Sequence, residues 1–185
     1  MKKVKYIAPF ILTAVMLSAC SNDETQTSSD TDALVAQYVK YSDDDFYAAW
    51  QGSNFTNIDL NGSSAVADGL GGVVIEDGNI EIRTTGTYVI EGTLDDGQIV
   101  VNAEDAGTVR LILNGASITS STSAAIYVKQ ADQTVISLEA GTENVLTDAK
   151  EYVFASDEDE PSGTIFSKDD LSINGDGKLV VNAQY

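Results

Sequence analysis

The chain has 185 residues, 29 acidic against 10 basic, for a formal charge of −19, with no histidine and one cysteine. Phosphate contacts need Lys and Arg, so this balance excludes a nucleic-acid partner. The absence of histidine excludes Ser-His-Asp, Cys-His and imidazole-zinc chemistry, and a lone cysteine excludes an internal disulfide.

Residues 1–19 read as a lipoprotein signal peptide. Lys2, Lys3 and Lys5 precede an apolar core from Tyr6 to Leu17, too short for a confident membrane span. Leu17-Ser18-Ala19-Cys20 has the pattern of a bacterial lipobox, which makes Cys20 the lipidation site and predicts an exported, membrane-anchored protein. The leader holds three of the ten basic residues and no acid, so its removal takes the charge from −19 to −22. Residues 20–32 are polar and read as a disordered tether.

Residues 33–53 read as a helical cap. Leu34, Tyr38 and Tyr41 have helical spacing, and Ser42 can cap a second short helix with Asp43, Asp44 and Asp45 in its first turn. Phe46 and Trp50, four apart, then share a face. Residues 54–185 change texture: short runs rich in Val, Ile, Leu and Thr are punctuated by Gly, Asn, Asp and Ser. Thirteen such runs lie between Ile58 and Val181, none long enough for an ordinary helix. Three segments overlay, starting at Leu111, Val135 and Leu171, with Ile112 and Ile136 24 residues apart. Repeated strands and polar turns predict an all-β, right-handed parallel β-helix, with a β-sandwich as the alternative. The acidic stretch from Asp157 to Glu160 reads as a loop thrown out of one coil.

Some stretches resemble a bacterial carbohydrate-binding domain family. They are Gly86 to Val101, Val109 to Ile118, Ala124 to Lys129 and, most recognisably, Ile165-Phe166-Ser167-Lys168-Asp169-Asp170-Leu171-Ser172-Ile173-Asn174-Gly175-Asp176-Gly177. The resemblance implies exported, often lipid-anchored proteins with a β-helix like that of calcium-dependent pectate lyases. It implies non-catalytic binding of cellulose or of acidic plant-wall glycans such as polygalacturonate, with calcium on the helix. In that family the chain continues past the position of Tyr185. The reading here is therefore a truncated or short solenoid whose open end invites self-association.

Calcium takes six to eight hard oxygens. The carboxylates expected to supply them are Asp132, Asp157, Asp159, Asp169 and Asp170, and a bound cation would offset the repulsion between this chain and an acidic glycan. Tyr127 and Tyr152 are the aromatics expected to stack on sugar rings, with Lys168 beside them, whereas Phe154 and Phe166 are expected in the core. Two rival readings remain: a calcium-dependent polysaccharide lyase with Lys168 as base, and a structural or adhesive stalk. Neighbouring carboxylates raise a lysine's pKa, which opposes the first.

Overall fold

The structure, a computed structural model, describes residues 41–155, 157 and 159–185. The stretches read as signal peptide and tether, the expected lipidation site Cys20 and the helical spacing of residues 34–38 lie outside the described residues. Thirteen strands follow in chain order. The first five are β1 (Thr56–Gly62), β2 (Ser64–Asp68), β3 (Val73–Glu76), β4 (Asn79–Ile82) and β5 (Gly86–Leu94). Next come β6 (Gln98–Asn102), β7 (Thr108–Thr119), β8 (Ile126–Gln130) and β9 (Gln133–Leu138). The last four are β10 (Glu143–Thr147), β11 (Ile165–Ser167), β12 (Asp170–Gly175) and β13 (Lys178–Asn182).

They form two sheets. The larger runs β12-β9-β7-β5-β1-β2, with β10 pairing both the second half of β7 and β13. The smaller runs β11-β8-β6-β4-β3. From β4 to β9 consecutive strands alternate between the sheets, so each strand pairs in parallel with the next but one. One apolar cluster draws from both sheets: Ile58, Ile90 and Leu111 from the larger, Ile80, Ile99 and Ile126 from the smaller, all fully buried. Strands buried on an inner face in this way read as dense Val/Ile/Leu runs, which is why the run boundaries were visible in the sequence.

The expected β-helix with a helical cap is corrected. The strands make two mixed sheets that are mostly parallel, and β1–β2 and β3–β4 are antiparallel pairs. The repeat that suggested a solenoid is not constant. Tyr88 pairs with Leu111, Leu111 with Ile136 and Ile136 with Ile173, steps of 23, 25 and 37 residues. The sandwich alternative differs too, because hairpins occur only in the first four strands. In place of a cap helix, the described residues hold one 3-10 turn, Asp43–Asp45. Ser42 donates to Asp45 from both its backbone N–H (2.7 Å) and its hydroxyl (3.1 Å). The helix does not continue because Asp45 is drawn onto the larger sheet, where Gln133 Nε2 and Ser172 Oγ donate to its carboxylate and Asn174 Nδ2 to its carbonyl. Tertiary bonds here override a modest helix propensity.

The 24-residue overlay of Ile112 on Ile136 is also corrected. Ile136 pairs with Leu111, and Ile112 pairs with Ser137. A one-residue slip moves a strand's side chains to the other face. Leu111 and Ile136 therefore enter the central cluster. Ile112, with Val89, Val135 and Ser137, is buried outside it, on the outer face of the larger sheet.

Candidate functional site

Turns leading from the smaller to the larger sheet place Asp105, Asp132 and Asp169 along one corner. Each carboxylate reaches the turn of the preceding layer. Asp105 accepts from the Thr85 amide (3.0 and 3.1 Å) and hydroxyl (2.9 Å), Asp132 from the Gly107 amide (3.2 Å), and Asp169 from the Ala131 amide (2.8 Å). The Thr85 amide, followed by its hydroxyl, holds Asp105 below the usual carboxylate range. These are side-chain caps on turn amides. Of the five expected calcium ligands, only Asp132 and Asp169 share this corner, where they line a hollow of about 330 Å³ with Glu104 and Asp105. Asp170 begins β12 opposite Gln133, and Asp157 and Asp159 are exposed in the acidic loop. Among the described residues no group of three acidic side chains is arranged to hold a metal ion.

The expected sugar-stacking residues separate. Tyr127 and Phe166 are register partners on the outer face of the smaller sheet, packed edge-on at 5.9 Å. Lys168 belongs with them. Its Nζ is 2.6 Å from Glu160 Oε2, and Glu160, followed by Tyr127, raises its pKa. A lysine held protonated is a poor base for proton abstraction. Tyr152 sits elsewhere, against Tyr185 (4.4 Å) and Phe154 (5.8 Å), with its hydroxyl donating to the buried Asp148. Burial and, next, that acceptor raise its pKa. Phe154 and Phe166, expected in the core, are half-buried surface residues. In β11 the register turns Phe166 away from the cluster against which Ile165 packs.

A different constellation lies on the outer face of the larger sheet. Trp50, Phe55, Asn57, Asp68, Val89 and Glu91 line an open hollow of about 510 Å³. Asn57 on β1 is the register partner of both Asp68 on β2 and Val89 on β5, so three strands place these groups in one row. Glu91 stands two residues beyond Val89, hence on the same face. Trp50 and Phe55 arrive from the segment preceding β1, their rings edge-on at 5.0 Å. Asn57 Nδ2 donates to Asp59 (2.8 Å) and Asn114 Nδ2 to Glu91 Oε2 (3.0 Å), which fixes both groups. Trp50 Nε1 donates to Glu139 Oε2 at 2.7 Å. An aromatic wall beside amide and carboxylate acceptors is a surface on which a sugar ring can stack while its hydroxyls donate.

The sequence reading missed this site. Trp50 was read as one face of a helix, and Asn57, Asp68 and Glu91 were not singled out. One signal was available: Trp50 is the only tryptophan in the chain.

The model of a carbohydrate-binding domain-containing protein family matches residues 76–185. The chain belongs to this family. A carbohydrate-binding domain-containing protein of Acetivibrio thermocellus is 40% identical over 120 residues, covering 64% of this chain and 42% of that protein. The solved structure of a polysaccharide lyase-like protein from C. thermocellum, a gadolinium derivative, is similar at 37% identity with a TM-score of 0.68. The match covers 70% of this chain and 53% of that one. The chain thus spans about half the length of the relatives it matches. The family is named for carbohydrate binding. The family match begins inside β3, so most of the 510 Å³ hollow is built from residues ahead of it.

Proposed function

We propose that the chain binds a neutral, cellulose-like glycan without catalysis, in the hollow walled by Trp50 and Phe55. The observation that carries this reading is the composition of the hollow: two aromatics facing an amide and two carboxylates on one open surface. The carboxylates of Asp68 and Glu91 accept from sugar hydroxyls. They repel a uronate, as does the net charge of the chain. Stacking and hydroxyl donation both suit a neutral ring.

A second reading, calcium-assisted binding of an acidic polysaccharide, rests on two observations. A similar structure was solved as a gadolinium derivative, an ion that, like calcium, seeks oxygen ligands. In this chain Asp132 and Asp169 each commit only Oδ2 to a turn amide among the described residues. Two carboxylates fall short of a calcium shell, so glycan and solvent oxygens would complete it. Lipidation at Cys20 would place either activity outside the cytoplasm on a membrane, and mass spectrometry of the mature N-terminus tests that.

Isothermal titration decides between the readings, using cellohexaose and then oligogalacturonate, each with calcium and with excess chelator. Cellohexaose binding that survives chelator and is lost in Trp50→Ala supports the hollow. Oligogalacturonate binding that appears only with calcium supports the second reading. Unsaturated product absorbing in the ultraviolet would overturn the non-catalytic assignment.

A further inference from the structure

Residues 42–53 lie across the outer face of the larger sheet as a strap. Val89, Ile112, Val135 and Ser137 on that face are at most 1% exposed although they stand outside the central cluster. The strap is held at three points. Arg110 donates from Nη1 to the Phe46 carbonyl (3.1 Å) and from Nη2 to the Asp44 carbonyl (2.8 Å). Asp45 is bonded by Gln133, Ser172 and Asn174. The third point is Glu139, just beyond β9. One of its oxygens accepts from the Tyr47 hydroxyl (2.7 Å) and Trp50 Nε1 (2.7 Å), and the other from Gln51 Nε2 (3.4 Å).

Only this third point touches Trp50. Glu139 does not line the hollow, whose strand-borne walls come from β1, β2 and β5. The indole therefore joins a carboxylate beside β9, outside the lining of the hollow, to a cavity at β1 and β5. We infer that Glu139 is the positioning residue of the glycan site, holding Trp50 as its wall through the indole N–H. This inference rests on the glycan reading of the hollow. It predicts that affinity depends on the bond between the two side chains and not only on the presence of an aromatic ring at residue 50.

A charge-assisted hydrogen bond to an indole is strong enough for its loss to weaken binding by about tenfold or more. The lone tryptophan also reports its own surroundings in emission, free of other indoles. The experiment combines cellohexaose titration, tryptophan emission and thermal unfolding for Glu139→Ala, Glu139→Gln, Trp50→Ala and Trp50→Phe, with Glu139→Ala also placed in the Trp50→Phe background. Glu139→Ala is expected to red-shift the emission and weaken binding about tenfold, while Glu139→Gln, which retains an acceptor, recovers most of both. Trp50→Phe keeps a ring but cannot donate. It is expected to weaken binding comparably, and Glu139→Ala then adds nothing further in its background. Should Glu139→Ala fail to fold, full affinity in Trp50→Phe overturns the inference and lost affinity supports it. Wild-type emission and affinity in Glu139→Ala, with binding lost in Trp50→Ala, overturn the inference alone. Full affinity in Trp50→Ala removes the glycan reading of the hollow and the inference with it.

Discussion

Replacing Asn144 with alanine tests whether one buried amide sets the register of the larger sheet. β5 and β7 pair with an offset of 23 from Ile90 to Leu113 and of 24 from Gly92 to Ala116, so one extra residue bulges from β7 at Asn114-Gly115. Bulges leave backbone groups unpaired. Asn144, fully buried on β10, supplies the partner, with Oδ1 accepting from the Gly115 and Ala116 amides at 2.9 Å each. Its Nδ2 donates to Thr142 Oγ1 (3.1 Å) and the Lys178 carbonyl (3.3 Å), tying β10 to β13. Truncation strands the buried Ala116 amide, at roughly 1–3 kcal/mol. The exposed Gly115 amide recovers water, so its loss and that of the two Nδ2 bonds add about 1 kcal/mol more. The expected destabilisation is roughly 2–4 kcal/mol in equilibrium urea unfolding, a large share of the ~5–15 kcal/mol available to a domain of this size. Thr142→Val, which removes the acceptor of one Nδ2 bond and the hydroxyl's own bond to the Glu139 carbonyl, should cost about 1–2 kcal/mol. A loss below about 1 kcal/mol in Asn144→Ala would refute the reasoning, because the amide would then not be satisfying the bulge.

The remaining predictions concern the strap, the turns and the surface. Arg110→Met keeps the aliphatic stem and deletes both carbonyl bonds, so hydrogen exchange should speed up in residues 42–53 while the amides of β7 and β9 stay protected. Glu139 is held below the ordinary carboxylate range chiefly by the Tyr47 hydroxyl, and Asp45 chiefly by the Ser172 hydroxyl. A depressed folded pKa stabilises above the unfolded value and is lost as pH falls through the folded one, so tryptophan emission should stay unchanged through the ordinary carboxylate range and red-shift only as pH falls below it. Gly92 has φ +92, and an added Cβ would stand 2.4 Å from the Leu60 carbonyl oxygen. Gly92→Ala should cost more than about 2 kcal/mol, measured by thermal unfolding. Lys168→Met breaks only a half-exposed ion pair with Glu160 and should leave stability within about 1 kcal/mol and cellohexaose affinity unchanged.

Twelve of the thirteen apolar runs are strands, because a strand buried on an inner face announces itself as consecutive β-branched and aliphatic residues. The exception, Tyr152 to Phe154, is an aromatic cluster without a ladder. The missed strand, β2, is mostly exposed and carries no such signal. Register was less legible. Leu111, Ile112 and Leu113 are all buried, and nothing in three adjacent aliphatic residues says that the middle one faces the strap and not the core. In the sequence Asp132 reads as the counterpart of Asp170, but the structure sets Asp170 opposite Gln133 and puts Asp132 and Asp169 at equivalent turns. Their bonds to the amides of Gly107 and Ala131 depend on which layer lies beneath, and that is a property of the pairing. The hollow was hidden for a similar reason. Asn57, Asp68 and Glu91 are unremarkable along the chain and meet only through strand pairing, and Trp50 joins them through a bond to a residue 89 positions away.

The strap also decides where tension enters the molecule. A pull on the chain ahead of Tyr41 does not arrive first at β1, the next strand in sequence. It arrives at Asp45, which is bonded to β9 and β12, and at the Asp44 and Phe46 carbonyls, which are bonded to Arg110 on β7. The load is thus divided among strands late in the chain while the hairpin of β1 and β2 carries none of it until those anchors fail. A domain held by its N-terminal end would keep its first strands, and the hollow they form, mechanically sheltered.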